Sequence, residues 1–296
     1  ILTAQACSLS PPALIVVKKA HLPGCSLMIE REIAVTAALD RHPHIVRFIT
    51  WWEDDEGHVN IAMEFAPNGD VARFVSREAA AGRWSTARAT TMALEIFSAL
   101  GYLHGRDMLH RDLKPENVLV DGDGHALIAD FGEARAEMAR VAMSATIGGS
   151  PLYWPCEHLT AIGSTWLSTD LRAPPPVSRL RYSAAGDIWA AAVLFFAMLL
   201  GMLGEREGRA SPWSHGAAII APTVTGGAPT INTAALFANA ARGDADWSRL
   251  PADTPPRVRT LLVRMLAVDP AARPSAGTVA ACPGALVHGE IDAPLP

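Results

Sequence analysis

Several ingredients are missing from this sequence of 296 residues, and each absence narrows what the protein can be. There is no excess of positive charge. Lys and Arg number 25 against 30 Asp and Glu, a formal net charge of −5, which argues against nonspecific binding to nucleic acid. Cysteine is sparse: Cys7, Cys25, Cys156 and Cys282 stand apart without CxxC spacing. That suits reduced thiols in a cytosolic or nuclear compartment. The apolar run from Ile188 to Leu203 has sixteen residues, short of the ~20 that span a bilayer. It fits a helix buried on all sides, and no membrane partner is expected. No internal repeat and no signal peptide is visible, and the first residue is Ile, so an excised or truncated piece is expected. The seventeen residues before Lys18 contain no glycine.

Half of the residues are apolar and 19% are charged, the balance of a well-cored globular protein. The length suffices for one large domain or for two lobes sharing a cleft. The densest chemistry lies between His110 and Gly132, HRDLKPENVLVDGDGHALIADFG. Asp112 and Asn117 are five residues apart, close enough to share one short loop. Two apolar runs, Val118 to Val120 and Ala126 to Ala129, flank a turn rich in Gly and Asp, which predicts a β-hairpin. A hairpin returns the chain to its start and brings Asp130 back beside Asn117. Two oxygen-bearing side chains then converge, as a hard cation such as Mg²⁺ requires. Asp112 is left to accept a proton from an attacking hydroxyl. These spacings suit transfer of a phosphoryl group from a metal-bound nucleotide. The DGDG turn at 121–124 does not complete an EF-hand, because its sixth position is Ala126 and its twelfth Gly132.

This stretch resembles the catalytic loop and DFG segment of the eukaryotic protein kinases of the Ser/Thr type, calcium/calmodulin-like or a related subfamily. The resemblance covers roughly residues 12–280, with gaps at 158–182 and 204–233. It implies an α+β, bilobal protein-kinase fold. A small β-rich N-lobe over 1–66, truncated and carrying one helix C, would precede a larger, mainly helical C-lobe over 67–290. In LIVVKKA (14–20), Lys18 resembles the strand-3 lysine of V-A-I-K, with Val16 where Ala is usual. LMIEREIAVTAAL (27–39) has the apolar spacing of an amphipathic helix, and HPHIVRF after it resembles the end of helix C. Glu32 would pair with Lys18 and hold it against the α- and β-phosphates, with Glu30 the alternative partner. VNIAMEF (59–65) and APNGD resemble strand five and the hinge. Met63 would back the adenine pocket, and the backbone of Glu64 to Ala66 would meet the adenine edge.

After Gly132 the chain resembles an activation segment ending in a degenerate A-P-E, with Pro155 and Cys156 in place of Ala and Pro. Glu157 keeps the acid, and the resemblance pairs it with Arg273 of DPAARPS. Thr146 stands where an upstream kinase would add an activating phosphate directed at Arg111; Ser144 is the next candidate. Ser150 stands where a hydroxyl lies near Asp112 and Lys114. GDIWAAAVLFFAML resembles the buried helix F, whose Asp187 braces the catalytic loop.

The resemblance implies an ATP- and Mg²⁺-dependent Ser/Thr kinase. Asn117 and Asp130 would hold the metal, Lys114 would steady the γ-phosphate, and Asp112 would orient the substrate hydroxyl. Asp70 and Glu116 imply a protein substrate with basic residues near the target. The missing glycine loop and altered A-P-E favour an alternative, a pseudokinase or scaffold. A small-molecule phosphotransferase of kindred fold shares the Asp–Asn logic, but KPEN, PLYW and AGDIW point to a protein substrate.

Overall fold

The computed structural model describes residues 2–6, 13–21, 26–136, 151–162, 182–203, 211–214, 219–220, 230–231 and 233–281. It is a mixed α+β architecture, sheet-rich at the N-terminal end and helical beyond. The sheet comprises β1 (Leu2–Ala6), β2 (Ala13–His21), β3 (Phe48–Glu53) and β4 (His58–Glu64), antiparallel in the order β1-β2-β4-β3. The β-branched residues of β2 and β4 suit a half-buried pleated surface. Val59 and Ile61 of β4 are buried in one cluster with Ile29 of helix α1 (Ser26–Ala38). Pairing of Lys18 with Ile61 across β2 and β4 puts the lysine on that same face.

The segment between α1 and β3 ties the sheet to the rest of the molecule. Ile128 N donates to His44 O at 2.9 Å, and Val46 N donates to Ile128 O at 2.9 Å. Ile128 belongs to a hairpin of β6 (Val118–Val120) and β7 (Ala126–Ile128), reached through β5 (Met108–Leu109) and a 3-10 turn at Pro115–Asn117. Between β4 and β5 lie α2 (Val71–Ala80) and α3 (Thr86–His104). Ser85 caps α3 by accepting from Arg88 N, as an N-cap serine does. Past the hairpin come β8 (Arg135–Ala136), α4 (Cys156–Ile162), α5 (Ala184–Leu199), β9 (Ile219–Ile220), β10 (Thr230–Ile231), α6 (Thr233–Arg242), α7 (Pro256–Met265) and α8 (Ala276–Ala280).

Helix α5 is the axis of the helical part. Every residue from Asp187 to Leu199 is buried, which is why its sequence shows no polar face. Each Leu, Phe or Ile it buries stabilises the fold by about 1.5–3 kcal/mol. Among the described residues no helix is long and apolar enough to cross a membrane.

Two sequence expectations change. The stretch 158–182 reads as an irregular loop, yet its first residues belong to α4. Pro155 just before the helix and Glu157 in its first turn are the signals for that start. The stretch 204–233, which matched nothing, contains the antiparallel pair β9 and β10. Ser144, Thr146 and Ser150 lie outside the described residues.

Candidate active site

The site forms where the sheet, α1 and the β6–β7 hairpin meet. Lys18 leaves the middle of β2 and reaches Glu32 on α1, with Nζ 2.7 Å from Oε1 and 2.8 Å from Oε2. The same ammonium lies 3.2 Å from Asp130 Oδ1. Glu32 is therefore the partner of the two glutamates expected. Burial alone would depress the Lys18 pKa, but the charges of Glu32 and Asp130 outweigh it and hold it above the ordinary lysine value. Asp130 moves the other way. Burial opposes ionisation, Lys18 more than offsets it, and the carboxyl titrates below its usual range. Asp130 also adopts a left-handed backbone, φ 60°, uncommon for a residue with a side chain.

Asp112, Lys114 and Asn117 form a second, tighter group. Asp112 Oδ2 accepts from Lys114 Nζ at 2.8 Å and from Asn117 Nδ2 at 3.0 Å. Asn117 Nδ2 also donates to Asp112 O at 2.8 Å, and Ala129 N donates to Asn117 O at 2.9 Å, so the hairpin brings the chain beside Asn117 just before Asp130. Asp112 Oδ1 is buried without a hydrogen-bond partner among the described residues. A buried carboxylate oxygen left unpaired is costly, and here it is the acceptor that an incoming hydroxyl would satisfy.

Behind this loop Asp187, in the first turn of α5, receives three donors. His110 N donates to its Oδ2 and Arg111 N to its Oδ1, both at 2.9 Å, and His104 Nε2 lies 2.9 Å from Oδ2. Burial pushes the Asp187 carboxyl up, yet His104 and the loop amide outweigh it and keep its pKa low. His104 is the last residue of α3 and a buttress of Asp187. Met63 packs against Ile61 of the sheet and against Val46, Ala66, Leu127 and Ala129 around the hairpin. Glu64 Oε1 accepts from Arg47 N at 2.7 Å. Asp70 is less available than expected. Its Oδ1 caps α2 by accepting from Arg73 N, and its Oδ2 lies 3.2 Å from Arg73 Nε. Glu116 is exposed.

Glu157 and Arg273 meet 116 positions apart, Nη2 to Oε2 at 2.6 Å and Nη1 to Oε1 at 3.0 Å. The guanidinium also donates to Ala267 O and Ala185 O, so it ties α4 and α5 to the C-terminal helices. Cys156 beside it is buried, and burial together with the Glu157 charge pushes its thiol up to about 11. It is a packed, unreactive thiol.

The pair makes a pH-dependent contribution. Burial opposes ionisation of Glu157, Arg273 overrides it, and its folded pKa lies below the ordinary 4.5. The stabilisation is therefore complete above about 4.5 and is lost as pH falls through the folded value. Glu157→Gln should cost about 3 kcal/mol at pH 7, read from urea melts. The gap to the parent should shrink as the pH falls below 4; a gap of equal size at every pH would refute the assignment.

Comparison with known proteins follows the same lines. A family profile described as the protein kinase domain matches residues 13–283. The human cAMP-dependent protein kinase catalytic subunit PRKX is 32% identical over 160 residues, which is 54% of this chain and 38% of that protein. Human protein kinase C delta type is 31% identical over 174 residues, 59% of this chain and 22% of that protein. The serine/threonine-protein kinase PLK4 of Drosophila willistoni is 28% identical over 185 residues, 62% of this chain and 21% of that protein. The matched stretch thus spans well under half the length of these relatives.

Proposed function

The chain belongs to the protein kinase family, and we propose that it transfers the γ-phosphoryl group of ATP to a Ser or Thr hydroxyl of a protein. The observation that carries this reading is the meeting of Lys18 with Glu32 and Asp130 from three separate elements. A protein that only bound partners would have no chemical need for a lysine held between two acids beside Asn117 and Asp112.

In the proposed reaction the substrate oxygen attacks the γ-phosphorus as the bond to the departing ADP oxygen breaks, and the hydroxyl proton passes to Asp112 Oδ1. Asp112 is held for this by Lys114 and Asn117 through its other oxygen. Lys18 supplies positive charge to the nucleotide phosphates, and Glu32 keeps it in place when Asp130 turns to another cation. The donor set fits Mg²⁺: Asp130 is ionised and partly exposed, and Asn117 spends its Nδ2 on Asp112. Asn117 and Asp130 would hold that ion, which draws negative charge from the phosphate oxygens. Positioning and electrostatics account for most of the expected acceleration. With Asp70 used as a cap, exposed Glu116 is left to favour basic residues near the acceptor. Equal rates on peptides with their arginines replaced by alanine would remove that arm.

The test is binding of ATP in the presence and absence of Mg²⁺, followed by thermal shift. Nucleotide at a hundred times its dissociation constant should stabilise the parent by about 2.7 kcal/mol, and Asp130→Asn should lose most of the Mg²⁺-dependent part. No shift at millimolar nucleotide would favour the scaffold reading, for which the altered Pro155–Cys156 pair is the motivating feature.

A further inference from the structure

Arg111 directly precedes Asp112 of the proposed machinery, in a backbone conformation that side-chain-bearing residues rarely adopt. Its φ is 69°, and such conformers persist only where their surroundings fix them. One restraint is the Arg111 N–H donated to Asp187. That bond holds the peptide but not the side chain. Among the described residues the guanidinium has no ion-pair partner and its buried Nε no hydrogen bond. What it does have is a ring: Arg111 Cζ lies 3.7 Å from the centroid of Tyr182.

We propose that Tyr182 is a positioning residue for the catalytic loop, its ring face seating the Arg111 guanidinium and thereby setting the backbone that presents Asp112. Tyr182 is itself fixed. It precedes α5 by two residues, and the His158 ring of α4 meets it edge-on at 4.7 Å and 75°. Tyr182, Arg111 and Asp112 line one small cleft with Tyr153 and Gly186. Without the ring, the guanidinium would lose the face it rests on. A desolvated cation over an aromatic face is a strong contact for its size. One end of α5 then holds the strained residue twice, at its backbone through Asp187 and at its side chain through Tyr182.

This inference rests on the kinase reading, so its test has an arm that does not need turnover. Amide hydrogen exchange over residues 110–114 is compared in the parent, Tyr182→Phe and Tyr182→Leu, alongside kcat and the KM for ATP. Tyr182→Leu should speed exchange at Arg111 and Asp112 and lower kcat about tenfold, with the KM for ATP unchanged. Tyr182→Phe, which keeps the ring face, should match the parent on both. In an Arg111→Met background Tyr182→Leu should have no further effect, because the stack is already gone. If Tyr182→Leu does not fold, Tyr182→Met carries the same comparison. Exchange in the leucine variant equal to the parent, or a phenylalanine variant as impaired as the leucine one, would overturn the proposal. A parent that transfers no phosphate while exchange follows the expected order would refute the kinase reading and leave the positioning role standing.

Discussion

Replacing Asp112 by asparagine should lower the rate of phosphoryl transfer by roughly 10²–10⁴-fold while leaving Mg²⁺-ATP binding nearly unchanged. The two oxygens of Asp112 have separate tasks. Oδ2 accepts from Lys114 and Asn117, and Oδ1 is buried with no partner among the described residues. An amide can keep the first arrangement but cannot take up a proton at neutral pH. The nucleotide side of the site is built on Lys18, Glu32 and Asp130, and Asn117, the other proposed metal ligand, keeps its bond to the Asp112 main-chain oxygen in the variant. The expected signature is a fall in kcat with little change in the KM for ATP. A variant within fivefold of the parent would place the proton acceptor elsewhere.

The second large effect concerns stability. Asp187→Ala should cost about 3–5 kcal/mol, since each buried donor left unsatisfied costs about 1–3 kcal/mol. The deletion leaves three donors without an acceptor: the amides of His110 and Arg111, and the His104 ring. Asp187 is 3% exposed, so water cannot replace it without opening the core around α5. Its place in the first turn of α5 adds the favourable end of the helix dipole, which alanine forfeits. Urea denaturation measures the loss, and a midpoint equal to the parent's would show that the loop is braced by something else. The folded pKa of Asp187 is depressed, so this contribution is present above the ordinary carboxyl range and fades as pH falls through the folded value.

Much of the site is written locally, and that part was legible in the sequence. The spacing of Asp112, Lys114 and Asn117 confines them to one loop, and the apolar runs around 121–125 force the hairpin that returns Asp130. The Lys18–Glu32 pair was legible one step further, because a helix after a lysine-bearing strand offered only two glutamates. Between Glu30 and Glu32 the sequence leaned toward the second, and the fold agrees. Tyr182 was not legible: it meets Arg111 only because α5 runs under the catalytic loop, and nothing within a few residues of either marks the contact. His104 was half legible, as a helix end whose tertiary partner lies 83 positions away. Asp70 has a local role beside the one expected of it. Its place before an amphipathic run is an N-cap signal, and its Oδ1 accepts from Arg73 N.

The most direct test of the account is transfer of labelled phosphate from ATP to Ser/Thr peptides bearing arginine near the acceptor, by the parent and by Asp112→Asn side by side. Mg²⁺-dependent labelling by the parent that falls at least a hundredfold in the variant is the predicted result. Labelling that is absent from the parent although Mg²⁺-ATP binds, or that survives unchanged in Asp112→Asn, would contradict it.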